Sequence, residues 1–482
     1  MVSRKFFVFF AVLFFAAAQL LAAPAAQKNV ILVIGDGAGP AVMAALMQYA
    51  KLAPASPYQD RLSNLEKIMK AGSLSFVFNT PVDTVAVDSA ASGTQLAAGV
   101  KTYPTAIGVD AQGGPVDSIL EKAKKAGYGT GLVTTVYLQD ATPAVFAAHR
   151  PSRKYYHDIA VDMLKTKPDI MLGGGLNYYV SKNNLKDSKY NNIFEKVHYA
   201  AALEPQSKDD GLFEQVLKSG YQLVFDKKSL LSAKGPRLLG LFAPQALPFV
   251  IDRKPAYPLL KDMAQKALDI LAKNEKGFFL MIEGGLIDWA AHNNDQGAVL
   301  KELLEFDEAL AVVADFAAVH PGTLVIITAD HDTGGFAFNY RYLSGAELEQ
   351  KKQDGYPLYE DIDYVAFQNL DKIAAQTKSF DALIKAYAAL PAKNKNAKTI
   401  QKIVKDATGI DLPEGWDGGA AQPDIKAALA RATEMLGVAW ATQQHTAEPV
   451  LAVFTGPGGG PYPVPAVMHS TQINNIMEKY LL

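Results

Sequence analysis

The chain has 482 residues, 49% of them hydrophobic, a formal charge of −2 and no cysteine. That length can bury a large core and admits one big domain with insertions or two to three smaller ones; one domain with inserts is the expectation. The near-neutral charge gives no basic field for a nucleic-acid partner, and without cysteine neither disulfides nor thiolate metal sites can form.

Residues 1–25 open with Arg4 and Lys5, continue through Phe6-Phe7-Val8-Phe9-Phe10 and end in small residues, the layout of a secretory signal peptide. Ala23-Pro24-Ala25 offers a cleavage site; an uncleaved anchor is the alternative reading of the same run. Cleavage predicts an exported protein, in the periplasm or secreted, with no stable membrane anchor and a charge lower by the two cations lost.

The run Asn29-Val30-Ile31-Leu32-Val33-Ile34 reads as a buried parallel strand ending at Gly35-Asp36-Gly37. The same strand-then-polar pattern recurs at 129–136, 170–172, 278–282, 324–327 and 450–454, with helical periodicity at 116–126 and 259–271 between some of these runs. Such alternation predicts a three-layer α/β/α fold around a central, mostly parallel sheet. Two stretches interrupt it. Residues 178–210 are polar and read as a long loop or small insert. Residues from about 339 to about 442 read as a helical insert, with helices at 361–376, 380–389 after a Ser379 cap, 398–405, and 423–436 closed by Gly437. The remainder, 26–482, is expected to be one catalytic domain carrying that insert.

Asp288 and His292 stand four residues apart, and Asp330-His331 are adjacent, each pair just past an apolar run. An i, i+4 spacing places both side chains on one helical face, and carboxylate with imidazole suits a zinc-like ion. Roughly 0.8 acid-x3-His pairs are expected by chance in such a composition, so neither pair suffices alone. Position strengthens the case, because Asp36, Glu283, Asp288, Asp330 and His331 all fall at strand ends or in the first turn beyond. Ligands bind at that edge of open α/β sheets, and carboxylates gathered there repel one another unless cations are bound.

Ser89, in Val87-Asp88-Ser89-Ala90-Ala91-Ser92, sits where a helix of small residues starts and sees amide dipoles that favour negative charge. An N-cap by Asp88 or Ser89 is the structural alternative. Gly35-x-Gly37-x-Gly39 mimics a dinucleotide fingerprint, but Pro40 and the Asp36 carboxylate argue against pyrophosphate. His149, His157, His198, His320 and His469 read as surface or structural groups.

Together these residues resemble the alkaline phosphatase family across nearly the whole mature chain. The resemblance rests on Gly35-Asp36-Gly37, Asp88-Ser89-Ala90, Gln139-Asp140-Ala141-Thr142-Pro143, Ser152-Arg153-Lys154, Glu283-Gly284, Asp288-x3-His292, Thr328-Ala329-Asp330-His331 and His445-Thr446. It implies a phosphate monoester hydrolase of broad specificity that works through a phosphoserine on Ser89. Arg153 would clamp two phosphate oxygens and Asp88 would orient it. Two zinc ions and one magnesium are implied: Asp288, His292 and His445 would hold the first zinc. Asp36, Asp330 and His331 would hold the second, which also binds Ser89, and Asp36, Thr142 and Glu283 the magnesium. Small-molecule phosphate monoesters are then the expected partners, with a homodimer possible. Asp140 and Trp289 occupy positions that vary in the family between acidic, histidine, lysine and tryptophan types; tryptophan supplies no charge to phosphate. A sulfatase or a diesterase on the same fold is the competing reading, weakened by Ala90-Ala91-Ser92-Gly93 after Ser89 and by the presence of Arg153. A binding protein without turnover is a third.

Overall fold

The computed structural model describes residues 27–209, 211–353, 360–413, 416 and 423–482; the expected signal segment lies outside the described residues. Ten strands form the central sheet: β1 (Lys28–Gly35), β2 (Ser73–Phe78), β3 (Gly129–Tyr137), β4 (Ile170–Gly174), β5 (Gln222–Val224), β6 (Leu238–Leu241), β7 (Gly277–Gly284), β8 (Thr323–Thr328), β9 (Val450–Thr455) and β10 (Val467–His469). Their spatial order is β10-β2-β9-β8-β1-β7-β3-β4-β6-β5. Every pairing is parallel except those of β9, which runs antiparallel to both β2 and β8.

The central strands are buried along almost their whole length, as continuous Val, Ile and Leu runs require when helices cover both faces. Helices Leu260–Leu271 and Gln296–Val319 pack together in one layer; Ser89–Ala98 and Thr471–Leu481 pack together in the other. Ile119–Lys125 starts at a capping box in which Ser118 accepts from Glu121 N at 3.1 Å and Glu121 accepts from Ser118 N at 2.9 Å.

Register explains how the site converges. Ile34 on β1 lies beside Glu283 on β7 and Thr328 on β8, and Glu283 lies beside Thr134 on β3. Four neighbouring strands therefore end on one line, and the polar residues that follow them share one edge.

Among the described residues of 339–442, helices run Gly345–Gln353, Phe367–Ala374, Phe380–Ala388, Ala397–Thr408 and Ile425–Met435. Ser379 caps the third by accepting from Ala382 N at 3.1 Å. The segment leaves and returns across an antiparallel pair, Phe336–Phe338 with Val438–Trp440. Beyond that neck, Asp332–Thr333 pairs with His445–Thr446, setting His445 opposite Thr333. Residues 178–209, expected as a long loop or a small insert, contain short helical turns such as Lys182–Lys186 and Asn191–Phe194. Ser181 caps the first turn, which offsets the polarity that suggested irregular chain.

Candidate active site

Ser89 is the first residue of helix Ser89–Ala98, and Asp88 is the cap: Asp88 Oδ1 accepts from Ala91 N at 3.1 Å and from Thr105 N at 3.0 Å. Relieved of capping, the Ser89 hydroxyl lies 3.1 Å from His331 Nε2. The other oxygen of Asp88 accepts from Arg153 Nη1 at 3.2 Å, while Arg153 Nη2 donates to Asp140 Oδ1 at 2.9 Å.

Two groups of acid and imidazole ligands stand side by side: Asp288, His292 and His445 in one, Asp36, Asp330 and His331 in the other, with each group's ligand atoms within 4.8 Å of one another. In the first, His292 Nε2 is 3.4 Å from Asp288 Oδ2 and 3.1 Å from His445 Nε2. In the second, His331 Nε2 is 3.2 Å from Asp330 Oδ2 and 3.5 Å from Asp36 Oδ1. The rings of His331 and His445 stack with centroids 3.6 Å apart, so the groups adjoin. Thr142 Oγ1 donates to Asp36 Oδ2 at 3.4 Å, and Thr134 Oγ1 donates to Glu283 Oε2 at 2.5 Å.

Burial pushes Asp36 well above the ordinary carboxylate range, reinforced by repulsion from Asp330, Asp288 and Glu283. Burial likewise raises Glu283 to about 8 and Asp330 to about 6. It lowers His331 and His445 to about 4, keeping both imidazoles neutral with a lone pair to offer. Burial would raise Asp288 too, but its hydrogen-bonded contact with His292 outweighs it and holds that carboxyl low.

A test of whether cations fit is the state of the carboxylate oxygens. Asp36 Oδ1, Glu283 Oε1 and Asp330 Oδ2 are buried with no hydrogen-bond partner. Buried acceptors without donors are costly unless something positive lies between them. Nitrogen and oxygen donors together suit zinc, and the oxygen-only set of Asp36, Thr142 and Glu283 suits magnesium.

All eleven residues singled out in the sequence (Asp36, Asp88, Ser89, Thr142, Arg153, Glu283, Asp288, His292, Asp330, His331 and His445) meet at this edge through the contacts above. Sequence reasoning missed the groups that aim them. Thr333 Oγ1 donates to Asp288 Oδ1 at 2.5 Å and lies 3.2 Å from His331 Nδ1, touching one ligand of each group. His445 Nδ1 meets Val87 O at 2.8 Å and His292 Nδ1 meets Gln443 O at 2.5 Å, leaving each Nε2 turned inward. Gly37 has a φ of +68°, and a Cβ there would come within 2.9 Å of both Thr333 Oγ1 and Asp288 Oδ1, so only glycine lets this turn pass. Residue types hold no signal for such backbone acceptors; Thr333 was detectable only as the hydroxyl two residues after His331. The five histidines outside the pattern belong to neither ligand group.

A sheet edge where three buried carboxylates each keep one oxygen without a donor, beside a guanidinium, suits an α/β/α enzyme that holds cations and an anionic group such as a phosphoryl. A sequence model of the family described as "Alkaline phosphatase" matches residues 27–481. "Alkaline phosphatase 4" of Bacillus subtilis is 34% identical over 460 residues, 94% of this chain and 88% of that protein. The alkaline phosphatase of Escherichia coli is 35% identical over 356 residues, 63% of this chain and 70% of that protein. A crystal structure of a cold-active alkaline phosphatase from a psychrophilic Shewanella superposes with TM-score 0.73 at 29% identity, covering 94% of this chain and 100% of that one. That of Thermus thermophilus gives TM-score 0.73 at 25% identity, covering 95% and 92%. The chain belongs to the alkaline phosphatase family, enzymes that hydrolyse phosphoric monoesters.

Proposed function

We propose that this chain is a phosphate monoester hydrolase of broad specificity in which Ser89 Oγ attacks phosphorus, expelling the alcohol and forming a phosphoserine that water then hydrolyses to inorganic phosphate. The observation that carries the reading is Ser89 at a helix start, its hydroxyl 3.1 Å from His331, which is itself one of three clustered ligands. Amide dipoles at that helix start favour negative charge on Ser89 and on the phosphoryl group. Arg153 presents a planar fork to two non-bridging oxygens; a monoester has three, leaving one to face the two ligand groups, whereas a diester has only two and must fit a second ester group in the same space. Asp88 and Asp140 fix the plane of that fork before substrate arrives.

Asp288, His292 and His445 would hold one zinc, Asp36, Asp330 and His331 a second, and Asp36, Thr142 and Glu283 a magnesium. Bound there, these cations would favour loss of protons from the Ser89 hydroxyl and the attacking water and offset charge on the leaving alkoxide. The orphaned oxygens of Asp36, Glu283 and Asp330 support this assignment. We place the enzyme outside the cytoplasm on the strength of residues 1–25, and read 26–482 as one catalytic domain in which 339–442 is an insert. No helix among the described residues is long and apolar enough to cross a membrane.

The test compares 4-nitrophenyl phosphate with its bis-ester, using protein loaded with zinc and magnesium. Strong monoester preference, with a phosphoryl label trapped by acid quench in wild type and absent from Ser89→Ala, is expected. Diester preference, or label retained by Ser89→Ala, would overturn the assignment.

A further inference from the structure

His292 belongs to two places at once. Its Nε2 faces the ligand group, yet the residue also lines, with Asn293, Asn294 and Gln443, a partly open cavity of about 450 Å³ between the core and the insert. The cavity's apolar wall is made by Phe380, Ile384, Leu429 and Trp440. Asp381 and Glu434 also line it, but Asp381 is paired with Lys385 at 2.7 Å and Glu434 with Arg431 at 3.0 Å. Their carboxylates are thus partly neutralised from within the insert.

The wall is fixed relative to the ligand-bearing helix. Asp295, three residues beyond His292, accepts from Phe380 N at 2.5 Å and from Gln376 Nε2 at 2.7 Å. Next to it, Gln296 Oε1 accepts from Thr433 Oγ1 at 2.9 Å. Helices Phe380–Ala388 and Ile425–Met435 are therefore tied to the chain segment that follows His292. A space with a preset shape and one apolar wall, bordered by His292 of the first ligand group, can take up the organic part of an ester whose oxygen leaves beside that group.

We propose that the alcohol part of the substrate ester sits in this cavity, so that the enzyme prefers phosphate esters of apolar alcohols several carbons long over those of short ones. The proposal rests on the monoesterase reading above and adds a subsite to it. A series of linear alkyl phosphates isolates the effect, because the leaving alcohols differ in length and hardly in basicity. Each methylene taken up by an apolar wall is worth up to about fourfold in transition-state binding.

The experiment measures kcat/KM for ethyl and hexyl phosphate with the metal-loaded full-length enzyme. The expected hexyl-to-ethyl ratio is about tenfold or more in wild type. It should fall to near one in Ala430→Trp, which puts an indole into the cavity from an exposed position, and should shrink in Ile384→Ser, which keeps the space and removes the apolar wall. Should the tryptophan variant fail to fold, the serine variant carries the same comparison. A wild-type ratio near one, or a high ratio that survives the substitutions, overturns the subsite while leaving the monoesterase reading intact. No turnover of either ester by folded, loaded wild type overturns both.

Discussion

Arg153 is bonded to two carboxylates at once, Asp88 at 3.2 Å and Asp140 at 2.9 Å, and Asp88 is also the cap of the helix that begins at Ser89. Arg153 and Ser89, the proposed nucleophile, are therefore positioned by the same side chain. Asp88→Asn keeps an acceptor for the cap and loses the charge facing Arg153; kcat/KM should fall about tenfold with little change in Tm. Asp88→Ala should show the same kinetic loss together with about 1 kcal/mol of lost stability. Paired thermal melts and steady-state kinetics check both.

Removing the cations should make stability fall with rising pH. Asp36, Asp330 and Glu283 have folded pKa values raised chiefly by burial, Asp330 from 3.8 to about 6 and Glu283 from 4.5 to about 8. Without cations the folded state keeps these protons in a range where the unfolded chain has released them, so stability declines as pH rises from about 4 to about 8. Melting of the chelated enzyme at pH 6 and pH 8 should show a lower Tm at pH 8, with no such drop in the loaded enzyme. Equal slopes for the two forms would contradict this.

Trp289 is half-buried, its ring 6.2 Å from that of Tyr137, and brings no charge to the phosphate. Trp289→Lys should tighten inhibition by inorganic phosphate by about fivefold or more, the effect of one added charge ~4 Å away even in bulk water. Competitive inhibition constants for the two proteins decide it; equal constants would show that this position does not sense the anion.

Asp295 joins the insert to the core from a buried position. Asp295→Ala leaves Phe380 N without its acceptor and removes the cap on Ala298 N, for which a loss of about 2–3 kcal/mol is expected in denaturant melts.

How much was legible in the sequence followed from burial. The runs at 129–136, 278–282 and 324–327 stood out because strands covered on both faces must be apolar throughout. β2 escaped notice: it lies near the edge of the sheet, and its alternate residues Leu74, Phe76 and Phe78 are exposed. β5, β6 and β10 are too short to show a period. The direction of β9 could not be read either, since side-chain alternation is the same in parallel and antiparallel strands. In the site, acids and imidazoles at strand ends were conspicuous because so few histidines exist to be placed. Thr134 and Thr333 were not, because a hydroxyl takes its role from neighbours that only the folded chain supplies.

The placement of β9 has a consequence for biosynthesis. β2 is made early, yet its two partners in the sheet are β9 and β10, near the chain's end. Until residue 450 and beyond emerge, the strand carrying Phe76 has no neighbour to pair with, and such edges invite association with other chains. His445 arrives just before β9, so the last of the candidate ligands and the closing of the sheet come together in synthesis. A chain cut before residue 445 accordingly lacks a candidate ligand and the strand that closes this side of the sheet at the same time.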